Sequence, residues 1–297
     1  MTLFTDADDI LAHFELCNQV FPWLREVIGV KVLRRWADKL RAQESPDDFL
    51  GRNGEMLNLL NVSAMTGYSI LTGLDDTLFA HYRRLLLKLE VCLLAFPELP
   101  ADKSFQEKIT NLEGPYLLAT LSELSLAYEL HQRGYKVGFE TKFKLLNTLK
   151  KRDIDLSVQT ARGNTFHVEV YMPNELLEAD STTDLEPDEH PLKVIDLEHD
   201  DESFERKIRN KLTDKFGQEG LSGLNGRVCL AVNKVYMDVL RLKGLLAPGS
   251  SDFRALLQLL PQDVDGLLVF EDSFESEESL KIDCLLRKSL SSTRYQG

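Results

Sequence analysis

The sequence has little that would place the protein in a membrane or in an oxidising compartment. None of its apolar runs approaches the roughly 20 residues that a membrane-spanning helix needs. The four cysteines, Cys17, Cys92, Cys229 and Cys284, lie far apart among apolar neighbours, which favours reduced core thiols over disulfides or a zinc site. The N-terminus MTLFTDADDI is acidic, unlike a secretory signal. The sequence therefore predicts a cytoplasmic globular protein with no membrane partner.

Signatures of several common enzyme classes are also missing. The sequence contains no Gly-rich phosphate-binding loop, no HExxH motif and no GxSxG motif. These motifs mark P-loop nucleotide hydrolases, zinc peptidases and α/β-hydrolases, respectively. The sequence therefore gives no support to any of these three enzyme classes.

Positive charge is scarce overall, but it is unevenly distributed. The formal net charge is -13, which by itself counts against a nucleic-acid partner because Lys and Arg supply most of the affinity for phosphate backbones. Residues 174–204, however, contain 12 acidic residues and one basic residue, whereas residues 117–173 contain 6 acidic and 8 basic residues. Most of the negative excess therefore lies in one segment, and the region before it is slightly positive.

Carboxylates lie on two short predicted strands that a tight turn joins. Polar and apolar residues alternate over 153–158 and again over 167–171, which is the two-residue period of half-buried strands. The turn is predicted at 161–164. In a hairpin, Asp155 and Glu169 would point to the same side and could converge on one cation. Mg²⁺ is usually held by one or two carboxylates with water and substrate phosphate, which suits phosphodiester chemistry.

This arrangement resembles the PD-(D/E)xK nuclease superfamily, which has the restriction-endonuclease-like fold. RDIDLSV matches the family's Asp strand, with Asp155 at the metal-binding Asp, and HVEVY matches its Glu-x-Lys strand, with Glu169 at the Glu. Residues 115–140 match the Glu-bearing helix and the first strand that precede these motifs. Tyr171 stands where the family has its Lys. The resemblance covers roughly residues 115–271.

The resemblance implies a divalent-metal-dependent nuclease that acts on DNA, with Mg²⁺ or Mn²⁺ as the cofactor. Asp155 and Glu169 would be the catalytic metal ligands, the backbone carbonyl of Val170 a third oxygen ligand and Glu123 an auxiliary one. Glu123 lies on the apolar stripe of its predicted helix, where a carboxylate is costly unless it is paired or bound to metal. The alternative is a Glu at the edge of the stripe that reaches water or a nearby Lys. Glu129 is predicted on the wet side of the same helix.

The missing motif Lys needs a replacement, because Tyr171 cannot carry a positive charge. Residues 203–218 predict a basic amphipathic helix. A row of long polar side chains follows one side of it: Lys207, Lys211, Lys215 and Gln218. The row resembles the functional Lys or Gln residues that some branches of the superfamily carry on this helix. Lys211 or Lys215 would then supply the missing charge as a catalytic residue, with Gln218 as an auxiliary residue; a plain solvated face is the alternative.

Basic residues before and after the hairpin predict a phosphate track. The residues assigned to nucleic-acid binding are Lys144, Lys150, Lys151, Arg152 and Lys207. A soluble, positively charged loop is the alternative. Asp153 shares the face of Asp155, so it is either a second ligand or a cap of the strand. His167, on the matching face, is interpreted as a hydrogen-bonded neighbour, because hard cations prefer oxygen ligands.

Two regions are predicted overall. Residues 1–112 form a helical N-terminal domain or cap, with amphipathic helices over 6–43, 53–60 and 76–94. Residues 113–297 form an α/β core, a mixed sheet flanked by helices, with an acidic insertion at 174–204. After the insertion the sequence predicts these elements: strands over 227–235 and 264–272, helices over 235–246 and 251–260, and an edge strand after 281.

The acidic insertion and the helical region leave the functional interpretation open. The insertion would shield the basic track as an electrostatic mimic of nucleic acid, or it is a solvated loop. Either it or the helical region is a possible surface for a protein partner. A catalytically degenerate family member that binds nucleic acid or protein without cutting remains the alternative to a nuclease.

Overall fold

The structure is a computed structural model, and the residues that it describes fall in 12 ranges. They are 3–42, 58–74, 77–112, 116–145, 151–172, 215–216, 221–222, 224–235, 247, 249–261, 263–274 and 280–286. The chain is of mixed α/β class and begins with a helical region, as predicted. It divides into two units, Met1–Tyr128 with Asp272–Ser279 and Glu129–Glu271 with Leu280–Gly297. The predicted acidic insertion at 174–204 lies outside the described residues.

The first unit is helical. Its described helices are α1 Ala7–Val20, α2 Trp23–Val27, α3 Val30–Arg41, α4 Leu59–Thr72, α5 Thr77–Ala95 and α6 Lys103–Ile109, with a 3-10 turn at Leu99–Ala101 before α6. Asp6, Asn58 and Asp102 cap α1, α4 and α6 by accepting a hydrogen bond from a backbone amide three residues on. The one or two helices predicted over 6–43 are three, because Pro22 and Gly29 interrupt the helical pattern.

Two helices of this unit approach each other very closely. A Cβ atom added at Gly67, in α4, would overlap the backbone carbonyl of His13, in α1. Only a residue without a side chain lets the two backbones come so near. The imidazole of His13 then packs edge-on against Phe4 and lies 5.5 Å from the ring of Tyr68. The glycine is therefore a packing requirement of this unit.

The described residues that follow form two helices and a sheet. Helix α7 spans Tyr116–Gln132 and runs across the division between the two units. The remaining elements are β1 Lys136–Leu145, β2 Lys151–Gln159, β3 Thr165–Tyr171, β4 Leu221–Ser222, β5 Arg227–Asn233, α8 Ser251–Leu259, β6 Gly266–Phe270 and β7 Ile282–Leu286. The predicted strands are confirmed, and β1 extends five residues beyond its predicted end at Glu140.

The described strands form one mixed sheet in the order β4-β1-β2-β3-β5-β6-β7. Neighbours from β4 through β1 and β2 to β3 are antiparallel, β3, β5 and β6 are parallel, and β7 returns antiparallel to β6. Gly163, with φ of 80°, supplies the left-handed residue in the β2–β3 turn. The edge strand predicted after 281 is confirmed as β7.

An apolar cluster packs β5 and β6 against α8. Its members are Phe143, Ile154, Phe216, Val228, Leu230, Val232, Phe253, Leu256, Leu257, Leu260, Val264, Leu267 and Val269. Phe216 stacks on Phe143 with ring centroids 5.9 Å apart. Because Phe216 follows Lys215 directly, this contact also fixes the position of the Lys215 backbone.

The cysteines follow the prediction at three positions of four. Cys17, Cys92 and Cys229 are buried free thiols, and burial raises the pKa of each to about 12. Cys284 is exposed, because it lies on edge strand β7 instead of in the core. Within the ranges given above, no helix combines the length and the apolar character needed to cross a lipid bilayer.

Candidate functional site

Asp155 and Glu169 lie where two strands of the sheet separate. The antiparallel ladder between β2 and β3 ends at the pair formed by Leu156 and Val168. One step further in the same register come Asp155 and Glu169. At this step the backbone amide of Val170 donates a hydrogen bond of 2.8 Å to the carboxylate of Asp155. The side chain of Asp155 thus takes the place of a backbone partner.

The ladder between β2 and its other neighbour, β1, is also interrupted at Asp155. In the described ladder between β1 and β2, the register passes over the pair that Glu140 and Asp155 would form. Glu140 has a φ of 48°, which is uncommon for a residue other than glycine. Asp155 therefore lies at a break in both ladders, and this break allows its carboxylate to turn towards the backbone of β3.

Lys215 brings a positive charge to both carboxylates. Its Nζ atom lies 2.9 Å from Oε2 of Glu169 and 3.9 Å from Oδ1 of Asp155. The exposed fraction of the side chain is 1% for Glu169, 13% for Asp155 and 20% for Lys215. A charge so deeply buried is tolerated only with a partner. The structure therefore brings the two predicted carboxylates and one of the two predicted lysines together.

This trio defines a position that accepts a cation. Two carboxylates from neighbouring strands reach one ammonium within 4 Å, and the same oxygens are the ligand type that Mg²⁺ prefers. Among the described residues no group of three or more His, Cys, Asp or Glu side chains is placed to hold a metal ion. Two carboxylates nevertheless fit Mg²⁺, which takes most of its remaining ligands from water and substrate phosphate.

A row of uncharged polar groups crosses the sheet beside the trio. The hydroxyl of Ser157 is hydrogen-bonded to the hydroxyl of Thr141 and to Nδ1 of His167, each at 2.6 Å. The Nε2 atom of His167 lies 3.2 Å from the backbone carbonyl of Asn225. Because a carbonyl only accepts, Nε2 must carry a proton. Burial lowers the pKa of His167, and the bond to the Asn225 carbonyl opposes that shift.

The other residues predicted near the trio have structural contacts of their own. Asp153 is half-buried and stands opposite Lys142 in the β1–β2 ladder. Tyr171, at the position of the family's Lys, packs against the apolar cluster. Val170 is buried between Glu169 and Tyr171, and its carbonyl stays a predicted ligand. His167 is a hydrogen-bonded neighbour, as predicted.

The two glutamates of α7 each have a cationic partner. Glu123 accepts hydrogen bonds from Lys108 at 2.5 Å on both oxygens, which is the alternative that the sequence left open. Glu129, predicted on the wet side, is buried: Oε1 accepts from Arg133 and Oε2 from the amide of Leu280. That prediction was wrong because polar Ser122 and Ser125, which suggested a wet face, are themselves buried.

The basic track is described in part. Lys144 and Lys151 stand directly opposite each other in the β1–β2 ladder, and both are exposed. Nε of Arg152 is buried and has no hydrogen-bond partner among the described residues. Lys151 and Arg152 thus lie within four residues of Asp155 on β2, and Lys144 lies opposite Lys151 on β1. Four predicted residues, Lys150, Lys207, Lys211 and Gln218, lie outside the described part of the chain.

Sequence reasoning missed the contacts that orient the site. The bond from the Val170 amide to Asp155 depends on a break in the ladders, and no residue type in the sequence marks that break. The polar row through Ser157 and His167 had a signal, because both residues occur on the predicted strands at matching faces. Glu123 and Lys108, which are 15 residues apart in sequence, lie on two different helices.

Comparison of the chain with protein-family models, with curated proteins and with solved structures gives no match. The function must therefore be inferred from the chain's own residues.

Proposed function

We propose that the protein is a divalent-metal-dependent nuclease that hydrolyses phosphodiester bonds in DNA. The observation that supports this function best is the meeting of Asp155, Glu169 and Lys215 at the point where β2 and β3 separate. In the superfamily that the chain resembles, two carboxylates hold the metal ion and one ammonium stabilises the charge that develops on the phosphate.

The carboxylates of Asp155 and Glu169 would hold Mg²⁺ or Mn²⁺, with the carbonyl of Val170 as a further oxygen. When bound, such an ion stabilises the charge that develops on the phosphoryl group as a Lewis acid. The amide of Val170 keeps Asp155 oriented. Glu169, buried at 1% exposure, cannot rotate freely into water, so its oxygens stay aimed at the same position.

Lys215 would take the role of the motif Lys that Tyr171 cannot fill. Its ammonium reaches both carboxylates from a different element of the chain. A positive charge at this position stabilises negative charge on the phosphate oxygens in the transition state. On this proposal, the charge that the family takes from its motif Lys comes from Lys215, which lies on a different element of the chain.

The sheet is consistent with a restriction-endonuclease-like core, which we propose as the fold. An antiparallel β1–β2–β3 meander precedes parallel pairing of β3 with β5 and β6. The two carboxylates come from the adjacent central strands β2 and β3. The resemblance likewise implies one carboxylate on each strand of the hairpin.

DNA is the proposed substrate because positive groups lie next to the carboxylates. Lys144 and Lys151 are exposed on neighbouring strands, and Arg152, which is half-buried, follows Lys151 on β2. Phosphate oxygens are suitable acceptors for such groups and position a nucleic acid without reading its sequence. We also propose a cytoplasmic location, which the buried free thiols of Cys17 and Cys92 support.

The function is tested by hydrolysis of plasmid and single-stranded DNA, and of RNA, with Mg²⁺ or Mn²⁺. Asp155→Asn, Glu169→Gln and Lys215→Met should each lower the rate by about 100-fold or more. The matched control is Glu129→Gln, which also removes a buried carboxylate with a cationic partner. It should retain hydrolysis. Equal loss in the control and the three site variants, or no hydrolysis by the wild type, would reject the proposal.

A second candidate is a protein that binds nucleic acid without cutting it. It is favoured by Tyr171, which packs against the apolar cluster and leaves the motif position without a charge. Such a protein would bind DNA through Lys144 and Lys151 and turn over none. Binding that survives Asp155→Asn, together with no hydrolysis by the wild type, would select this function.

A further inference from the structure

Lys215 is held beside the carboxylates by its neighbour in the sequence. Phe216 is 1% exposed in the apolar cluster and stacks on Phe143, so the backbone at this point is fixed. The lysine itself ends in a compact ammonium on a flexible four-carbon stem. The ammonium can therefore leave Asp155 and Glu169 while the backbone stays where it is.

Adding a second cation to the trio costs electrostatic free energy. Asp155 and Glu169 carry one negative charge each, and Lys215 carries one positive charge. A divalent ion that bound beside the ammonium would place two cations in a small, largely buried space. Their repulsion is strong where water is excluded, so the arrangement with both cations between the carboxylates is disfavoured.

We propose that Lys215 and a divalent metal ion compete for the carboxylates of Asp155 and Glu169, so that metal binding displaces the ammonium. The inference rests on the proposed function for the identity of the ion. The displaced ammonium is then free to contact a phosphate oxygen. A metal ion with two carboxylates is neutral, and with Lys215 the site has one positive charge, which matches the single negative charge of a phosphodiester.

The net charge of the site also explains why the metal ion would bind before the phosphate. Before metal binding the trio has a net charge of minus one and repels phosphate. After metal binding it attracts phosphate. Lys215 thereby offsets one of the two buried negative charges until the metal ion binds, and it contacts the substrate afterwards.

The first test is calorimetric titration of the full chain with Mn²⁺ alone. Lys215→Met should bind Mn²⁺ about ten-fold tighter than the wild type, because the competing charge is gone. Lys215→Arg, which keeps the charge, should stay near the wild type. Lys88→Met is the matched control, because Lys88 also forms a largely buried ion pair, with Asp272; it should leave Mn²⁺ binding unchanged. Equal or weaker binding by Lys215→Met, or no Mn²⁺ bound by either protein, would overturn the competition.

The second test uses the wild type, so it does not depend on a variant that folds. Lysine acetylation is followed by mass spectrometry with and without saturating Mn²⁺. The rate at Lys215 should rise several-fold with Mn²⁺, whereas the rate at Lys88 should stay constant. An unchanged or slower rate at Lys215 would show that the ammonium is not displaced and would overturn the proposal.

DNA hydrolysis, measured on the same samples, separates this inference from the proposed function. Tighter Mn²⁺ binding and faster acetylation without any hydrolysis would support the competition and reject the nuclease. Hydrolysis without either change would support the nuclease and reject the competition.

Discussion

Lys215 places its ammonium 2.9 Å from the carboxylate of Glu169, a residue that is 1% exposed. Removing one partner of such a buried pair leaves the charge of the other without its partner. Removing both leaves only the charge of Asp155, which keeps its hydrogen bond from the Val170 amide. The stability of the fold therefore depends on whether the pair is complete.

We expect Lys215→Met to lower the free energy of unfolding by about 3 kcal/mol, because the buried carboxylate of Glu169 then loses the ammonium 2.9 Å away. The double variant Lys215→Met with Glu169→Gln should regain most of that loss. Urea unfolding of the wild type, both single variants and the double variant measures the effect. If the double variant is as unstable as the sum of the two single variants, the two side chains are not coupled and the geometry is wrong.

The neutral imidazole of His167 predicts a loss of stability in mild acid. Its pKa is lowered in the folded protein by burial, whereas in the unfolded chain it has the ordinary value of about 6.5. Below that pH the unfolded chain takes up a proton that the folded imidazole does not accept. The contribution of His167 to the free energy of unfolding should therefore be fully present above about pH 6.5. It should fall as the pH drops towards the lowered pKa, by at most about 1.4 kcal/mol per pH unit.

Urea unfolding at pH 5.5 and 7.5 measures this contribution. His167→Gln should weaken the difference between the two pH values relative to the wild type. His131→Gln, which replaces an exposed imidazole, should keep the difference. The same pH dependence in His167→Gln and the wild type would mean that another group takes up the proton.

The close approach of α1 and α4 predicts that replacing the helical glycine Gly67 by alanine destabilises the protein, the opposite of the usual effect. Alanine in place of glycine usually stabilises a helix by about 1 kcal/mol. At Gly67 the new Cβ would overlap the backbone carbonyl of His13, and overpacking costs about 1–3 kcal/mol. We expect the overlap to win, so that Gly67→Ala lowers the melting temperature.

Gly138→Ala is the control, because its Cβ would lie at an ordinary contact distance of 3.9 Å from the Ser157 carbonyl. That variant should be close to the wild type in differential scanning calorimetry. A Gly67→Ala protein that melts at or above the wild-type temperature would show that the two helices separate at little cost.

Six of the seven described strands could be predicted from the sequence because their signal is local, whereas the two-residue strand β4 was not predicted. Alternation over 153–158 and 167–171 identified β2 and β3, and the apolar runs identified β5 and β6. The faces of α7 could not be predicted in the same way. Helical periodicity predicts the solvent-exposed face of a helix only if the polar residues lie on that face. Helix α7 instead buries Ser122, Ser125 and Glu129 together with its leucines.

The site could be predicted in its residues but not in its contacts. Asp155 and Glu169 share a face by strand periodicity alone. The charge missing at Tyr171 pointed to Lys211 or Lys215, of which the structure describes Lys215. The partner of Glu123 could not be predicted, because Lys108 reaches it from a separate helix. Pairing between helices depends on how they cross, which the period of each helix does not determine.

Glu123 allows a direct test between its two interpretations. Its carboxylate contacts Lys108, and the two side chains are 14% and 25% exposed. Because the pair is partly shielded, a double-mutant cycle with Glu123→Gln and Lys108→Met should give a coupling of about 1 kcal/mol in the free energy of unfolding. A purely structural pair would also leave Mn²⁺ affinity within about two-fold of the wild type in Glu123→Gln. A ten-fold loss of Mn²⁺ affinity with no coupling to Lys108 would instead assign Glu123 to the metal as an auxiliary ligand.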